Sequence, residues 1–324
     1  MSALLLTASD VTRLLQPDAC IAAVEDAFRG LALGRVPAPG ILGMQADGGS
    51  FHVKAAFLTA DRPYFAAKVN ANFPGNGALG LPTIQGAILL FDATNGRVLA
   101  VMDSIAITAL RTAAASAVAA KYLAREACET MLLCGCGGQG AAQLRAMLRV
   151  RQPARIAAYD RQEGKAEQFA GTLGTELGIA ITPVADLAAA VEASDLIVTC
   201  TTAQRYFIGR DRVHPGTFIA AVGADNEDKQ EIDPALMASA KVVTDLTAQA
   251  CTIGDLHHAI AAGMMTAADV HAQLGEVVAG LRPGRTHADE IIVFDSTGTG
   301  LQDAAAAIAV YRSALREELP ELAL

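Results

Sequence analysis

The chain contains no tryptophan, and aromatic residues fill only 5% of its 324 positions. A core built on large aromatic anchors is thereby excluded. The hydrophobic 52% leans on alanine instead, which suits helices packed closely over a sheet. Long apolar runs are lacking too. None approaches the ~18 residues that span a bilayer, so no membrane segment is expected. The opening MSALLLTASDVTRLL has no basic leader and meets Asp10 too early for a secretory signal, which points to the cytoplasm. Positive charge is short as well: 25 Lys and Arg stand against 34 Asp and Glu, a net charge of −9. Nucleic acid is not an expected partner, because phosphate binding asks for a basic face. The six cysteines, Cys20, Cys128, Cys134, Cys136, Cys200 and Cys251, include no CxxC pair. They read as buried structural thiols of a reducing compartment, with no metal site implied.

What the chain does have is a glycine-rich turn between two strands. From Met131 the sequence MLLCGCGGQG gives an apolar strand and a turn with Gly135, Gly137 and Gly140; a helix follows from about Ala141 to Val150. A second strand, Arg155 to Tyr159, closes on Asp160. Each part has a task in dinucleotide binding. Gly135 permits the tight turn, Gly137 lets backbone N–H groups approach a pyrophosphate, and Gly140 lets helix and strand pack closely. The helix N-terminus offers unpaired N–H groups and partial positive charge to the phosphates. Asp160 can accept from both ribose hydroxyls and would repel a 2′-phosphate, so NAD is the expected cofactor. Arg161 could meet such a phosphate if Asp160 swung away, which keeps NADP open.

Beyond residue 130 strands and helices alternate regularly. Strands are expected at 130–135, 155–159, 179–183, 195–200, 217–222, 241–244 and 290–294, a doubly wound parallel sheet of Rossmann type. The first third reads differently. A helix capped at Ser9-Asp10 covers Val11 to Leu15, and a second runs from Ala19 to Leu33. Alternating strands follow at 51–58, 64–72 and Gln85 to Phe91, with a hairpin signal at Asn95-Gly96. An alanine-rich helix, Ile105 to Leu123, leads into the parallel part, and a last helix, Leu301 to Glu318, is expected to return to the first. The fold class is therefore α/β, a Rossmann-type sheet plus an α+β domain. The boundaries expected are 1–116 with 302–324 for substrate binding and dimerisation, and 117–301 for the dinucleotide.

Strand alternation puts Lys68, Asn70 and Asn72 on one face, and His52 with Lys54 on one face of the neighbouring strand. Pairing of the two strands would gather these polar groups on a single surface. Lys68 stands among small apolar residues, where a lysine is either paired or poised for chemistry. Arg111, among Ala109, Leu110 and Ala113, has the planar fork that grips a carboxylate. Asp225 follows the 217–222 strand at its carboxyl end, where open α/β sheets place ligands, and is a candidate acid–base. Its alternative role is a helix N-cap.

Together these stretches resemble the ornithine cyclodeaminase/mu-crystallin family. The matching segments are AlaAlaLysVal (66–69), PheProGlyAsn (73–76), LeuProThr (81–83), LeuPheAspAlaThrAsnGlyArg (90–97), ThrAlaLeuArgThr (108–112), GlyCysGlyGlyGln (135–139), ValGlyAlaAsp (222–225) and PheAspSerThrGly (294–298) with GlnAsp (302–303). The resemblance implies a homodimer that handles a small amino or imino acid with NAD(H) or NADP(H). It implies that Lys68 and Arg111 hold the substrate carboxylate and that Asp225 moves a proton. It also implies cofactor contacts from Thr83, Arg111, Gly138, Gln139, Asp160, Thr201, Val222, Gly223, Ala224, Lys229 and Ser296.

The chain departs from the cyclodeaminase pattern in two places. Gly40 stands where cyclodeaminases carry an arginine, and HisValLysAla (52–55) replaces the MetProAla of many relatives. The expected activity is accordingly reduction of a 2-imino acid, with Lys54 and His52 added to the substrate pocket. A redox-neutral cyclodeaminase and a non-catalytic NADPH-binding protein are the alternatives.

Overall fold

The computed structural model describes residues 2–323, and all counts of elements refer to these described residues. The chain divides into two compact units, Met1–Thr112 with Thr299–Leu324 and Ala113–Gly298.

The first unit holds a seven-stranded sheet. Its strands are β1 (Ser2–Leu6), β2 (Gly40–Ala46), β3 (Gly49–Thr59), β4 (Pro63–Asn72), β5 (Ile84–Asp92), β6 (Val98–Asp103) and a C-terminal strand, Glu321–Ala323. The spatial order is C-terminal strand, β1, β6, β5, β4, β3, β2. All neighbours are antiparallel except β1 and β6. Asn95 and Gly96 do make the β5–β6 hairpin, with Gly96 at φ 76°. Three of these strands were not legible in the sequence, the C-terminal one lying past the expected last helix. β1 is a five-residue run without alternation, and β2 is an exposed edge strand rich in glycine and small residues. The presence of β1 moves the first helix cap: Thr7, the first residue past the strand, caps α1 (Ala8–Leu14) in a reciprocal box with Asp10, in place of the expected Ser9-Asp10.

One face of this sheet presents Tyr64, Ala66, Lys68, Ile88, Leu90 and Met102, all buried. α1 packs here on β6 and the C-terminal helix Gly300–Ala314 on both β3 and β4, while α2 (Pro17–Ala32) packs against that C-terminal helix. That helix can lie close because its buried side is alanine, and because Gly300 has no side chain: a Cβ there would sit 2.8 Å from the backbone of Ala55. The opposite face leaves Leu5, Leu42, Met44, Phe51, Phe57 and Val69 open, each at least 41% exposed.

The helix α3 (Ser104–Leu123) contains the boundary between units, after Thr112. In the second unit an eight-stranded sheet is parallel throughout. Its strands are β7 (Thr130–Cys134), β8 (Arg155–Tyr159), β9 (Thr182–Pro183), β10 (Leu196–Thr199), β12 (Phe218–Ala221), β14 (Lys241–Thr244), β15 (Ala272–Gln273) and β16 (Ile292–Asp295). β11 (Gln204–Ile208) and β13 (Gln230–Ile232) form a separate parallel pair. The order β15-β14-β16-β12-β10-β7-β8-β9 reverses direction between β7 and β10. Such a reversal opens the strand ends for a ligand. β7, β10, β12 and β16 are buried end to end, as continuous Leu/Ile/Val runs in a two-sided sheet must be. β9 is shorter than its sequence pattern because Pro183 cannot donate to a ladder, and it takes the sheet edge.

The two glycines of the first unit's helices predict opposite responses. Gly300→Ala should destabilise by about 1–3 kcal/mol, since its Cβ meets backbone that cannot yield. Gly30→Ala, inside α2 with nothing within 4 Å, should stabilise by about 0.5–1 kcal/mol. Urea unfolding of both variants checks the signs.

Candidate active site

In the first unit the register of β3 and β4 sets Lys54 directly opposite Lys68 and His52 directly opposite Asn70. The polar groups expected on one surface do share it, beneath the C-terminal helix. Sequence reasoning missed the partner that organises them. Asp303, in the first turn of that helix, lies between Lys68 and Arg111. Arg111 donates from Nε to Asp303 Oδ1 over 2.8 Å and from Nη1 to Gln302 Oε1 over 2.7 Å. The Lys68 ammonium donates to Asp303 Oδ1 at 2.9 Å and to Thr108 Oγ1 at 3.3 Å. It also lies 2.8 Å from Oδ2, an ion contact without hydrogen-bond direction. None of the three charged groups exceeds 4% exposure.

Burial is the main influence on Lys68 and favours loss of its proton. Arg111 and Lys54 push the same way, Asp303 opposes them, and its ammonium titrates down at about 7. For Asp303 burial alone would raise the pKa, but Arg111 and Lys68 more than reverse this and hold the carboxyl below its ordinary value. The helix N-terminus favours the same anionic form. Lys68 is thus both paired and poised: near neutral pH it can hold or release a proton. His52 is fixed through its Nε2 and Ser50 Oγ, 3.0 Å apart. Two buried amide atoms, Asn70 Oδ1 and Gln302 Nε2, have no hydrogen-bond partner among the described residues. Thr83 is exposed just before β5, its carbonyl accepting from Phe73 N–H. Gly40 opens the edge strand β2 opposite Ala55.

In the second unit the glycine turn follows β7. Gly135 adopts φ 106°, and a Cβ would stand 2.7 Å from the Cys200 carbonyl oxygen. At Gly140 a Cβ would come within 2.1 Å of Gly135 O. Gly137 differs: nothing lies within 4 Å of the Cβ position, so the backbone there faces open space. The helix α4 (Gly138–Met147) starts on the glycines themselves, about three residues before the expected Ala141, with Gly137 as its cap. Gln139 lies in its first turn. Asp160 closes β8 and accepts from Cys136 N–H at 2.9 Å and Gln162 N–H at 3.0 Å. Burial raises its carboxyl, yet these bonds and Lys165 leave it below the usual range. Arg161 beside it is exposed.

Cys134 ends β7 and Cys136 lies on the turn; both are buried, as are Cys20 and Cys128, while Cys200 and Cys251 are half-buried. Burial pushes the Cys136 thiol up to about 12 and the Cys134 and Cys200 thiols well above their ordinary value. These are inert protonated thiols.

The loops after β10 and β12 are tied by a second acid that the sequence did not flag. Glu231 accepts from the N–H and hydroxyl of Thr201, both 2.7 Å, and from Gly223 N–H at 2.8 Å. Val222 and Ala224 are buried on either side. Asp225 begins no helix, so the cap role fails. Its side chain is 54% exposed and lies 2.6 Å from Lys229 Nζ. Ser296 is buried, and its hydroxyl has no partner among the described residues. No cluster of three or more potential metal ligands occurs among the described residues.

The perturbed Lys68 has a consequence for stability. The folded protein releases this proton near pH 7, but an ordinary lysine of the unfolded chain holds it to 10.5. Between those values the unfolded state binds more protons, so the stability owed to Lys68 rises with pH. Urea unfolding of wild type and Lys68→Met from about pH 6 to about pH 10 should show the difference moving in favour of wild type. A pH-independent difference would contradict the assignment.

Solved structures share this architecture. An archaeal alanine dehydrogenase dimer with bound NAD superposes with a TM-score of 0.95 at 37% identity, covering 100% of this chain and 99% of that one. The Thermococcus litoralis Delta(1)-pyrroline-2-carboxylate reductase, in complex with NADH and L-proline, gives 0.91 at 34% identity over 97% and 98%. In sequence, iminosuccinate reductase of Paracoccus denitrificans is 36% identical over 95% of each chain. A sequence profile of the ornithine cyclodeaminase/mu-crystallin family matches residues 1–318. With the glycine turn, the polar sheet face and these likenesses in agreement, the chain belongs to the ornithine cyclodeaminase/mu-crystallin family.

Proposed function

We propose that this protein reduces a small 2-imino acid to the amino acid, using NAD(H). The observation that carries the reading is the buried group of Lys68, Arg111 and Asp303: two cations share one carboxylate, in an enclosed place that favours a further anion. A substrate carboxylate suits the planar guanidinium of Arg111. Its arrival beside Lys68 would raise the affinity of that amine for a proton, so binding and protonation reinforce each other. Asp225 supplies the proton that the imine nitrogen needs, or takes it in the reverse direction. Asp225 is exposed enough to exchange that proton with water, and Lys229 beside it holds its orientation.

The dinucleotide, when bound, supplies the hydride. The glycine turn fits its pyrophosphate, because the open space over Gly137 admits a ligand to the backbone. Asp160 keeps lone pairs for ribose hydroxyls, and its charge disfavours a 2′-phosphate, which supports NAD over NADP. Contacts to the cofactor are assigned to Gly135, Gly137, Gly138, Gln139, Asp160, Thr201, Val222, Gly223, Ala224, Lys229 and Ser296, with Thr83 and Arg111 from the first unit. The free hydroxyl of Ser296 and the Glu231 clamp on Thr201 and Gly223 support this assignment. The free thiols suit a reducing cytoplasm.

The working form is a homodimer, its occupant of the open sheet face being a second copy of this chain. Six large apolar side chains across β1, β2, β3 and β4 make a patch too broad for a monomer at ease in water. The dimeric alanine dehydrogenase of the same fold supports it.

Two tests follow. Asp225→Asn should lower turnover of a cyclic 2-imino acid by about 10²–10⁴-fold while NADH fluorescence still reports binding. Undiminished turnover would remove Asp225 from the chemistry. Separately, Phe57→Asp with Met44→Asp should halve the mass seen by light scattering, and an unchanged mass would move the interface elsewhere.

A further inference from the structure

The first turn of the C-terminal helix brings two side chains to Arg111, and only one of them is an acid. Arg111 donates its Nε–H to Asp303 and an Nη1–H to Gln302, the second over 2.7 Å. Gln302 is fully buried. Its amide can be turned only one way, because the two groups that meet it on that side are both donors. A guanidinium has no acceptor to offer, and the Thr299 N–H also points at Oε1, 3.4 Å away. The oxygen therefore faces Arg111, and the NH2 end is turned elsewhere. That end, Nε2, is buried without a hydrogen-bond partner among the described residues.

An unpaired buried donor is unfavourable, and native folds carry few of them. A glutamate at 302 would avoid it. Its carboxylate has the same reach, would accept from Arg111 through a charge-assisted bond, and would bring no orphaned N–H. The drawback of glutamate is electrostatic. Arg111 and protonated Lys68 carry two positive charges, and Asp303 answers one of them. Cys20 of α2, which also feels Arg111, has its thiol pushed up to about 12 by burial and stays uncharged. Lys54 adds to the positive field, since it and Arg111 both favour loss of the Lys68 proton. A second acid touching Arg111 would cancel the remaining charge of the group, and with it the attraction for an incoming anion.

We infer that Gln302 is a positioning residue acting through Arg111: as a neutral acceptor it fixes the guanidinium and leaves one positive charge of the Lys68–Arg111–Asp303 group for a ligand. The inference rests on the reading of that group as the grip on a substrate carboxylate. An amide orients a cation without neutralising it, and the unpaired Nε2 is what that arrangement costs. A purely structural acceptor carries the opposite expectation, because glutamate would serve Arg111 at least as well.

The test is Gln302→Glu in the full chain, with two readouts. Calorimetry with butyrate, an unreactive monocarboxylate, should show affinity weakened by about tenfold or more. NMR of carbon-labelled lysine should show the Lys68 titration moving up from about 7, by about one pH unit or more, because an added anion favours the ammonium. Unchanged butyrate affinity or an unmoved titration would each overturn the role. Gln302→Met removes the acceptor but adds no charge, and decides the matter should the glutamate variant not fold. It should keep the Lys68 titration near 7 and lose less than about tenfold in butyrate affinity. A loss as large as that expected of glutamate would overturn the role, since neutrality would then not be what the ligand reads. Wild type failing to bind butyrate would sink the carboxylate grip, whereas the Lys68 titration judges Gln302 with no ligand present.

Discussion

The first unit depends on one buried carboxylate. Lys68 and Arg111 are nearly inaccessible to water, and neither could be placed there without an anion in contact. Taking such ions out of water costs several kcal/mol each, and only close, hydrogen-bonded geometry offsets it. Asp303 provides that geometry by accepting from both cations through the same oxygen. The consequence for the chain is topological. The acid sits in the first turn of the C-terminal helix, so the polypeptide must return to the first unit after completing the second. Gly300 and the alanines after it are what let that helix come close enough for Asp303 to reach the sheet.

The second unit solves a related problem with backbone groups. Amide N–H groups of its loops, of β13 and of the helix Asp255–Ala261 must be satisfied, and buried acids collect them. Glu231 takes those of Thr201 and Gly223, Asp255 those of Glu231 and Ile232, and Asp295 those of Asp255 and Leu256. Burial raises the pKa of each of these acids. The amides around Gly137 are the exception, since their neighbourhood is left open. A fold that takes such care over its other amides leaves Gly137 and Gly138 exposed, which supports the proposed phosphate contact there.

Much of this was legible in the residues. The parallel strands announced themselves as unbroken runs of Leu, Ile, Val and Ala, and β8 and β14 lie where the pattern put them. The glycine spacing fixed the turn, and alternation placed His52, Lys54, Lys68 and Asn70 on one face. What escaped was long-range. β1 and β2 have no pattern of their own and exist because β6 and β3 offer partners. Asp303 lies 235 positions from Lys68 in the chain, and no local signal links them. Within its helix it looks like an ordinary first-turn acid. Glu231 was hidden in the same way: in sequence it belongs to a polar loop, and only the fold shows it buried and tied to two others. Side chains that hold other side chains leave little trace in a linear pattern.

A lysine fully charged in its resting state would pair so firmly with Asp303 that a substrate carboxylate would have to compete with it. A lysine fully neutral would offer that carboxylate little. Lys68 titrates at about 7, between the two, because burial and the neighbouring cations oppose Asp303. An incoming anion adds to the side of Asp303 and shifts the amine toward its charged form. On the proposed function, a carboxylate bound beside Lys68 would bring with it the uptake of part of a proton. Asp303 is the element that makes this response possible. It holds both cations in place, yet its single charge leaves part of their field unbalanced.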